Sequence, residues 1–172
     1  MPGYVIHLAV ANEYKRKHKT EIKNYKEFIR GTIYPDNVKD KSLTHYGPTS
    51  SKPDLKEFLK EHNIDANDFE KGYFIHLVTD FLFYNKYLEC FSKDIYNDYD
   101  ILNKKLEEKY NVILLDEIKD KVFHKEGELK LLNLDTILEF IDKTSECDLK
   151  HIRNEVLNEN KYWLEFRQLK HI

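Results

Sequence analysis

Cysteine is scarce in this sequence of 172 residues, which contains only Cys90 and Cys147. The two lie far apart and have no CxxC or CxH neighbours, which argues against a disulfide scaffold and against a thiolate zinc site. Their scarcity fits a reducing compartment, so we expect a cytoplasmic protein. The N-terminus also lacks the basic and apolar regions of a signal peptide.

Long apolar runs and an excess of one charge are lacking as well. No window approaches the ~20 apolar residues of a membrane span. The 28 basic residues are balanced by 31 acidic ones, so no patch for nucleic acid or for an anionic membrane is expected. Twelve tyrosines and ten phenylalanines argue against disorder and predict a real core. The length fits one domain over residues 1–172, and nothing in the sequence indicates an oligomeric state.

Apolar residues recur at helical spacing along most of the chain, and alternating strand patterns are absent. This predicts an all-α, single-domain bundle of about seven helices. The segment 112–123, which begins with Val-Ile-Leu-Leu, could be a short strand or a helix. A helix is favoured because strand partners are lacking. The predicted helices lie at about 3–17, 23–33, 54–60, from 64–68 to 91, 98–110, 112–123, 134–144 and 148–169.

The segment Gly72–Tyr84 is apolar on nearly every side, yet it contains His76 and Asp80. Four residues apart on a helix, the two share one face and lie about 6 Å apart along the axis. A helix of this kind belongs in the interior. Each buried polar group must then be satisfied by the other, by the backbone or by a metal.

Three further polar residues stand in comparable settings. His7 lies in the apolar part of the first helix, and Asp36 and His45 lie in an irregular stretch of about twenty residues, 34–53, which is long for a compact domain and typical of functional loops. With His76 and Asp80 they offer three imidazoles and two carboxylates, a set suited to zinc and also to manganese or iron. A bridging carboxylate could hold two ions, which would activate water and clamp a phosphoryl group.

The order of these motifs resembles the zinc-dependent phospholipase C family, whose helical fold is shared with the fungal single-strand-specific zinc nucleases. The resemblance covers about the first half of the chain. Its elements are a histidine in the first helix, then Phe-Ile-Arg-Gly-Thr-Ile-Tyr-Pro-Asp (28–36), Lys-Ser-Leu-Thr-His-Tyr (41–46) and Gly-Tyr-Phe-Ile-His-Leu-Val-Thr-Asp (72–80). It implies a phospholipase C/nuclease-like fold, a metal-site half at residues 1–110, and packing helices at 111–172.

The resemblance also implies roles for the ligands. One zinc would be held by Asp36, His45, His76 and Asp80. Asp80 would bridge to a second zinc held by His7 and by an N-terminal amine of Met1 or Pro2. The implied activity is hydrolysis of a small phosphorylated substrate by metal-activated water, with Asp36 also serving as the catalytic carboxylate that orients or deprotonates the water.

The chain departs from the three-metal members of that family. Those members have a second helical histidine a few residues after the His-x-x-x-Asp pair and a later His-x-x-x-Glu, whereas here Asp80 is followed by Phe-Leu-Phe-Tyr-Asn-Lys. His124 and Glu128 have the later spacing but lie far along the chain. Asp100 could supply an acidic substitute, while Asp98 is expected to interact with its helix N-terminus. The third metal site is therefore incomplete.

Lys41 and Arg30 stand beside motif residues and could contact a phosphate oxygen. The alternatives to a hydrolase are a non-catalytic metal-binding helical module that retains the fold, and a bundle whose histidines are satisfied core residues. An HD-domain-like phosphohydrolase is a further alternative. It requires an adjacent His-Asp pair, and in this chain Leu-Val-Thr separates His76 from Asp80.

Overall fold

The computed structural model describes residues 3–172, and eight α-helices account for most of that range. The all-α prediction is therefore confirmed. Within residues 3–172 no helix has the length and apolar content needed to cross a membrane. The helices are α1 (Tyr4–Lys17), α2 (Tyr25–Ile33), α3 (Lys41–His45), α4 (Leu55–Glu61), α5 (Asp68–Leu82), α6 (Asp94–Tyr110), α7 (Leu134–Glu146) and α8 (Leu149–Leu157).

Short irregular elements connect the helices. Three 3-10 turns span Tyr34–Asp36, Lys119–Lys121 and Lys161–Trp163, and one π turn at Phe83–Tyr87 continues α5. Two short strands, β1 (Cys90–Phe91) and β2 (Lys170–His171), pair in parallel. The chain after α8 is thereby held against the segment that follows α5.

Helix α1 is the centre of the bundle. Nine of its 14 residues are buried, including every residue from Tyr4 to Ala11, as expected for a helical segment that lies in the interior. It packs against α2 and α5 and also against α6 and α7. His7 is therefore enclosed by elements from both parts of the chain.

Helices α2 and α5 touch through two glycines, Gly31 and Gly72. A Cβ at Gly72 would lie 2.0 Å from the carbonyl oxygen of Phe28, and one at Gly31 would lie 2.0 Å from that of Phe69. Only glycine permits this approach of two backbones. The contact sets the first turns of α5 against the second half of α2, which leads directly to the segment that carries Asp36.

The predicted helix at 112–123 is wrong, because the chain there forms turns and the short 3-10 segment Lys119–Lys121. Asn111 adopts a left-handed conformation with φ 53° and reverses the chain after α6. The apolar run then packs residue by residue, with Val112 buried and Ile113 81% exposed. Its pattern therefore reflects isolated contacts and not a helical face.

Other boundaries also differ from the predictions. The predicted helix to residue 169 ends at Leu157, since Glu159 takes a left-handed conformation with φ 59° and the chain continues to β2. The central α-helix ends at Leu82, and its π turn ends at Tyr87 instead of near residue 91. Part of the loop at 34–53 is ordered as a 3-10 turn and α3, and α6 begins at Asp94 instead of Asp98.

Candidate metal centre

Four predicted ligands, Asp36, His45, His76 and Asp80, meet in the interior. One ligand atom from each lies within 4.8 Å of all the others. Asp36 ends a 3-10 turn, His45 ends α3, and His76 and Asp80 lie one turn apart on α5. None of the four is more than 4% exposed. This buried group could hold a metal ion.

Four of the six distances between the ligand atoms are close to those around one tetrahedral ion. Asp80 Oδ2 lies 2.9 Å from His45 Nε2 and 3.2 Å from His76 Nε2. Asp36 Oδ1 lies 3.5 and 3.6 Å from the same two nitrogens. These distances bracket the ~3.3 Å between ligands of a tetrahedral zinc with bonds of roughly 2.0–2.1 Å.

Backbone carbonyls orient two of the imidazoles. His45 Nδ1 donates to the carbonyl oxygen of Lys41 at 2.7 Å, and His76 Nδ1 donates to that of Thr32 at 2.7 Å. Because a carbonyl only accepts, the proton is on Nδ1 and Nε2 is directed at the carboxylates. This arrangement is typical of histidines that bind metals.

His7 faces the second carboxylate oxygen of Asp80. Its Nε2 is 3.1 Å from Asp80 Oδ1 and 3.9 Å from Asp36 Oδ2, and its ring stacks on His76 with centroids 3.7 Å apart. Asp80 thus faces His45 and His76 with one oxygen and His7 with the other, as a bridge between two ions requires. The amine ligand predicted at Met1 or Pro2 lies outside residues 3–172.

The cluster is strongly coupled electrostatically. Burial by itself would lower the pKa of His76, but the carboxylates of Asp36 and Asp80 raise it to about 10. Burial would raise the pKa of both carboxyls, yet His76 holds them below their usual range, Asp80 most strongly. Burial and His76 lower the pKa of His7. Without a metal the two carboxylates therefore favour the protonated form of His76, and a cation could replace that proton.

Six atoms of the cluster are buried and make no hydrogen bond: His7 Nδ1 and Nε2, Asp36 Oδ1 and Oδ2, His76 Nε2, and Asp80 Oδ1. A buried polar atom without a partner costs about 1–3 kcal/mol. Most of these atoms can offer a lone pair, and they face one another. A metal ion would bind these lone pairs, whereas a packed core leaves them without a partner. The residues present therefore fit a metal.

The loop that carries Asp36 and His45 is fixed by several hydrogen bonds. The Tyr4 hydroxyl donates to the carbonyl of Asp36 at 3.0 Å, and the Tyr73 hydroxyl donates to the carbonyl of Thr44 at 2.6 Å. Thr44 Oγ1 donates to the carbonyl of Pro35 at 2.7 Å. Both ligands are thereby positioned by α1 and α5, the helices that carry the other three.

The two cations that were predicted to contact a phosphate, Lys41 and Arg30, differ in their distance from the cluster. Lys41 Nζ lies 3.8 Å from Asp36 Oδ1 and so borders the cluster. Arg30 is half-exposed and pairs with Glu27 at 2.7 Å. Lys41 alone of the two is thus near the proposed ligands.

Asp100 and His124, the residues considered for a third metal site, form contacts away from the cluster. Asp100 pairs with Lys125 at 3.1 Å. His124 bonds to Glu107 near the surface and not to Glu128. The described part of the chain therefore provides no third site of the kind that the spacing of these residues suggested.

The predicted role of Asp98 is wrong. It is fully buried, and its carboxylate accepts the backbone N–H groups of residues 130, 131 and 132 at 3.0, 2.7 and 2.8 Å. Because α6 begins four residues earlier, Asp98 lies in its second turn and holds a distant loop instead of the helix N-terminus.

Two tyrosines near the cluster were not predicted. The hydroxyls of Tyr84 and Tyr99 are buried and have no hydrogen-bond partner. Burial, Tyr96 and then the carboxylates of Asp80 and Asp36 raise the pKa of Tyr99 well above its ordinary value. Tyr84 could have been found, since it follows Asp80 by one helical turn. Tyr99 has no such local signal.

Searches against protein-family models, curated proteins and solved structures returned no match. The interpretation of the cluster therefore depends on its own geometry and chemistry.

Proposed function

We propose that this protein is a metal-dependent hydrolase of phosphoric esters and a short relative of the zinc-dependent phospholipase C family. The centre would hold one or two zinc ions, although manganese and iron suit the same ligands. The observation that carries the proposal is the set of six unpartnered buried atoms in the cluster. The order of the sequence motifs supports the choice of reaction.

A bound zinc would supply Lewis acidity and lower the pKa of a coordinated water. The protein's own contribution would come from Asp36 and Lys41. Both Asp36 oxygens lack a hydrogen-bond partner, so one could bind metal while the other orients the attacking water and takes its proton. The Lys41 ammonium, 3.8 Å from Asp36 Oδ1, would favour an anionic substrate beside the centre.

A non-catalytic metal-binding module is the second candidate. The observation in its favour is burial, since the five proposed ligands are all between 0% and 4% exposed. Structural zinc sites are closed, whereas catalytic sites keep one position open. A hydrolase would therefore have to admit its substrate through a path that opens or through a cavity next to the ligands.

Metal analysis combined with turnover distinguishes these candidates. The protein would be stripped with a chelator, reconstituted with zinc or manganese, and assayed with p-nitrophenyl phosphate and bis(p-nitrophenyl) phosphate. His76→Ala should lose both metal and turnover. His124→Ala is the matched control, because that histidine bonds to Glu107 away from the cluster, and it should retain both.

Each outcome supports one candidate. Bound metal with turnover that His76→Ala abolishes supports the hydrolase. Bound metal without turnover of either ester supports the binding module. A wild-type protein that binds no metal after reconstitution would contradict both.

A further inference from the structure

A cavity of about 360 Å³ lies between residues 50–52, the π turn after α5 and strand β2. Aromatic rings form much of its wall. The ring of Phe91 lies 5.4 Å from that of His171 and 6.3 Å from that of Tyr96. The pairing of β1 with β2 sets Phe91 opposite His171. The cavity can therefore receive a flat or apolar group.

Positive charge is concentrated at the same cavity. Lys52 and Arg167 line it, and no aspartate or glutamate does. Across residues 3–172 neither cation forms an ion pair with a carboxylate. The protein as a whole has a formal net charge of −3, so this local excess of positive charge marks an anion site.

The fold holds both cations in place. A Cβ at Gly47 would lie 1.9 Å from the carbonyl oxygen of Lys52, so this glycine closes the loop tightly. The backbone N–H of Arg167 donates to Asn85 Oδ1 at 2.7 Å, while its guanidinium reaches the carbonyl of Tyr84 at a long 3.4 Å. Most guanidinium donors thus remain for a ligand. Asn85 lies in the π turn, a feature that is frequent at functional sites.

One wall of the cavity is formed by the continuation of the helix that carries Asp80. Tyr84 lines the cavity and follows Asp80 by one turn of the same helix. Tyr96, also in the wall, contacts Tyr99 with ring centroids 6.2 Å apart. Tyr99 lies close enough to the carboxylates of Asp80 and Asp36 for their charges to act on it. Both Tyr84 and Tyr99 have buried hydroxyls without partners.

We propose that this cavity binds a small organic phosphate that carries an aromatic or apolar group, with Lys52 and Arg167 contacting the phosphate. Its role as the substrate site of the hydrolase rests on the function proposed above. A larger cavity of about 490 Å³ lies beside α7, but its cations are engaged. Lys86 stacks on the Tyr162 ring, and Lys143 pairs with Glu139 at 2.6 Å. That cavity therefore lacks available positive charge.

Binding of phenylphosphonate, which has no ester to hydrolyse, tests the proposal without requiring activity. Calorimetric titration of the metal-free protein would compare the wild type with Lys52→Ala/Arg167→Ala. The control is Lys26→Ala/Lys161→Ala, which removes the same charge from exposed positions outside the cavity. We expect the cavity variant to weaken binding by roughly tenfold or more and the control to bind as the wild type does.

A second comparison tests the aromatic part of the site. Phenylphosphonate should bind several times more tightly than inorganic phosphate, since its ring contacts the aromatic wall. Unchanged binding in Lys52→Ala/Arg167→Ala, or equal weakening in the control, would overturn the anion site. Equal affinity for the two probes would overturn the organic part of the ligand.

Assays of ester hydrolysis show whether the anion site or the proposed hydrolase activity has failed. If the cavity binds phenylphosphonate as expected but no ester is hydrolysed, the anion site stands and the hydrolase is wrong. If esters are hydrolysed, Lys52→Ala/Arg167→Ala should raise KM while the metal content of the protein is unchanged. An unchanged KM would show that the cavity is not the substrate site.

Discussion

Replacing Asp80 with asparagine tests the metal centre most directly, because this carboxylate contacts three imidazoles. Oδ2 lies 2.9 Å from His45 Nε2 and 3.2 Å from His76 Nε2, and Oδ1 lies 3.1 Å from His7 Nε2. Asparagine retains the shape but removes the charge. It also turns an NH₂ group toward at least one ligand, where a cation would otherwise be bound.

The expected loss of affinity follows from the number of ligands. Structural zinc sites bind with about 10–16 kcal/mol near neutral pH, so each of four ligands contributes roughly 2.5–4 kcal/mol. Since 1.4 kcal/mol is a factor of ten, Asp80→Asn should weaken zinc binding by about a hundred- to a thousandfold. His7 would also lose its nearest carboxylate, so any second ion would be lost.

Competition with a chromophoric chelator measures this loss. Asp98→Asn is the matched control, since Asp98 is equally buried but accepts backbone N–H groups of residues 130–132. That variant should lower the melting temperature and leave zinc affinity unchanged. The reasoning would be refuted if Asp80→Asn bound zinc within about threefold of the wild type, or if Asp98→Asn lost as much affinity.

Three further predictions concern packing, pH and the unpartnered hydroxyls. Gly72→Ala places a Cβ 2.0 Å from a carbonyl oxygen of α2 and should lower the free energy of unfolding in urea by about 2 kcal/mol or more; Gly3→Ala, whose Cβ would meet its nearest atom at 3.5 Å, should not. In the metal-free protein the pKa of His76 is raised from 6.5 to about 10, so the contribution of its protonated form to stability is complete below pH 6.5 and is lost toward pH 10. The melting temperature should therefore fall between pH 6.5 and pH 10 without zinc but not with zinc. The same dependence of melting temperature on pH with and without zinc would contradict this. Tyr99→Phe removes a hydroxyl without a partner and should leave stability unchanged or raised, whereas Tyr14→Phe, which loses a bond to Glu21, should cost about 1 kcal/mol in the same urea experiment.

Local spacing was sufficient to suggest the ligands but not the contacts that orient them. Helical geometry alone places His76 and Asp80 on one face of α5. The hydrogen bond from His76 Nδ1 to the carbonyl of Thr32 depends on how closely α2 and α5 approach. Gly72 in the motif permits that approach, yet a glycine in a sequence does not identify the backbone it will touch.

The errors in the fold have a comparable cause. The runs after Asn111 and after Leu157 contain apolar residues at spacings that suggest helices, but left-handed residues at 111 and 159 turn the chain before a helix can continue. Asp98 was misassigned because its partners lie more than 30 residues later. Such roles follow from tertiary contacts, for which the local pattern contains no signal.

Burial of the ligands connects the stability of the fold with the metal. Every residue of 4–11 in α1 and of 72–82 in α5 is buried, so their histidines and Asp80 cannot turn toward solvent. Folding therefore buries them whether or not a cation is present, and without one several of their polar atoms have no hydrogen-bond partner. Asp36 and His45 belong to short elements that are joined to α1 and α5 by two hydrogen bonds and to each other by a third. A cation would join these short elements to the central helices, so metal binding and the order of the loop at 34–53 should be parts of one equilibrium.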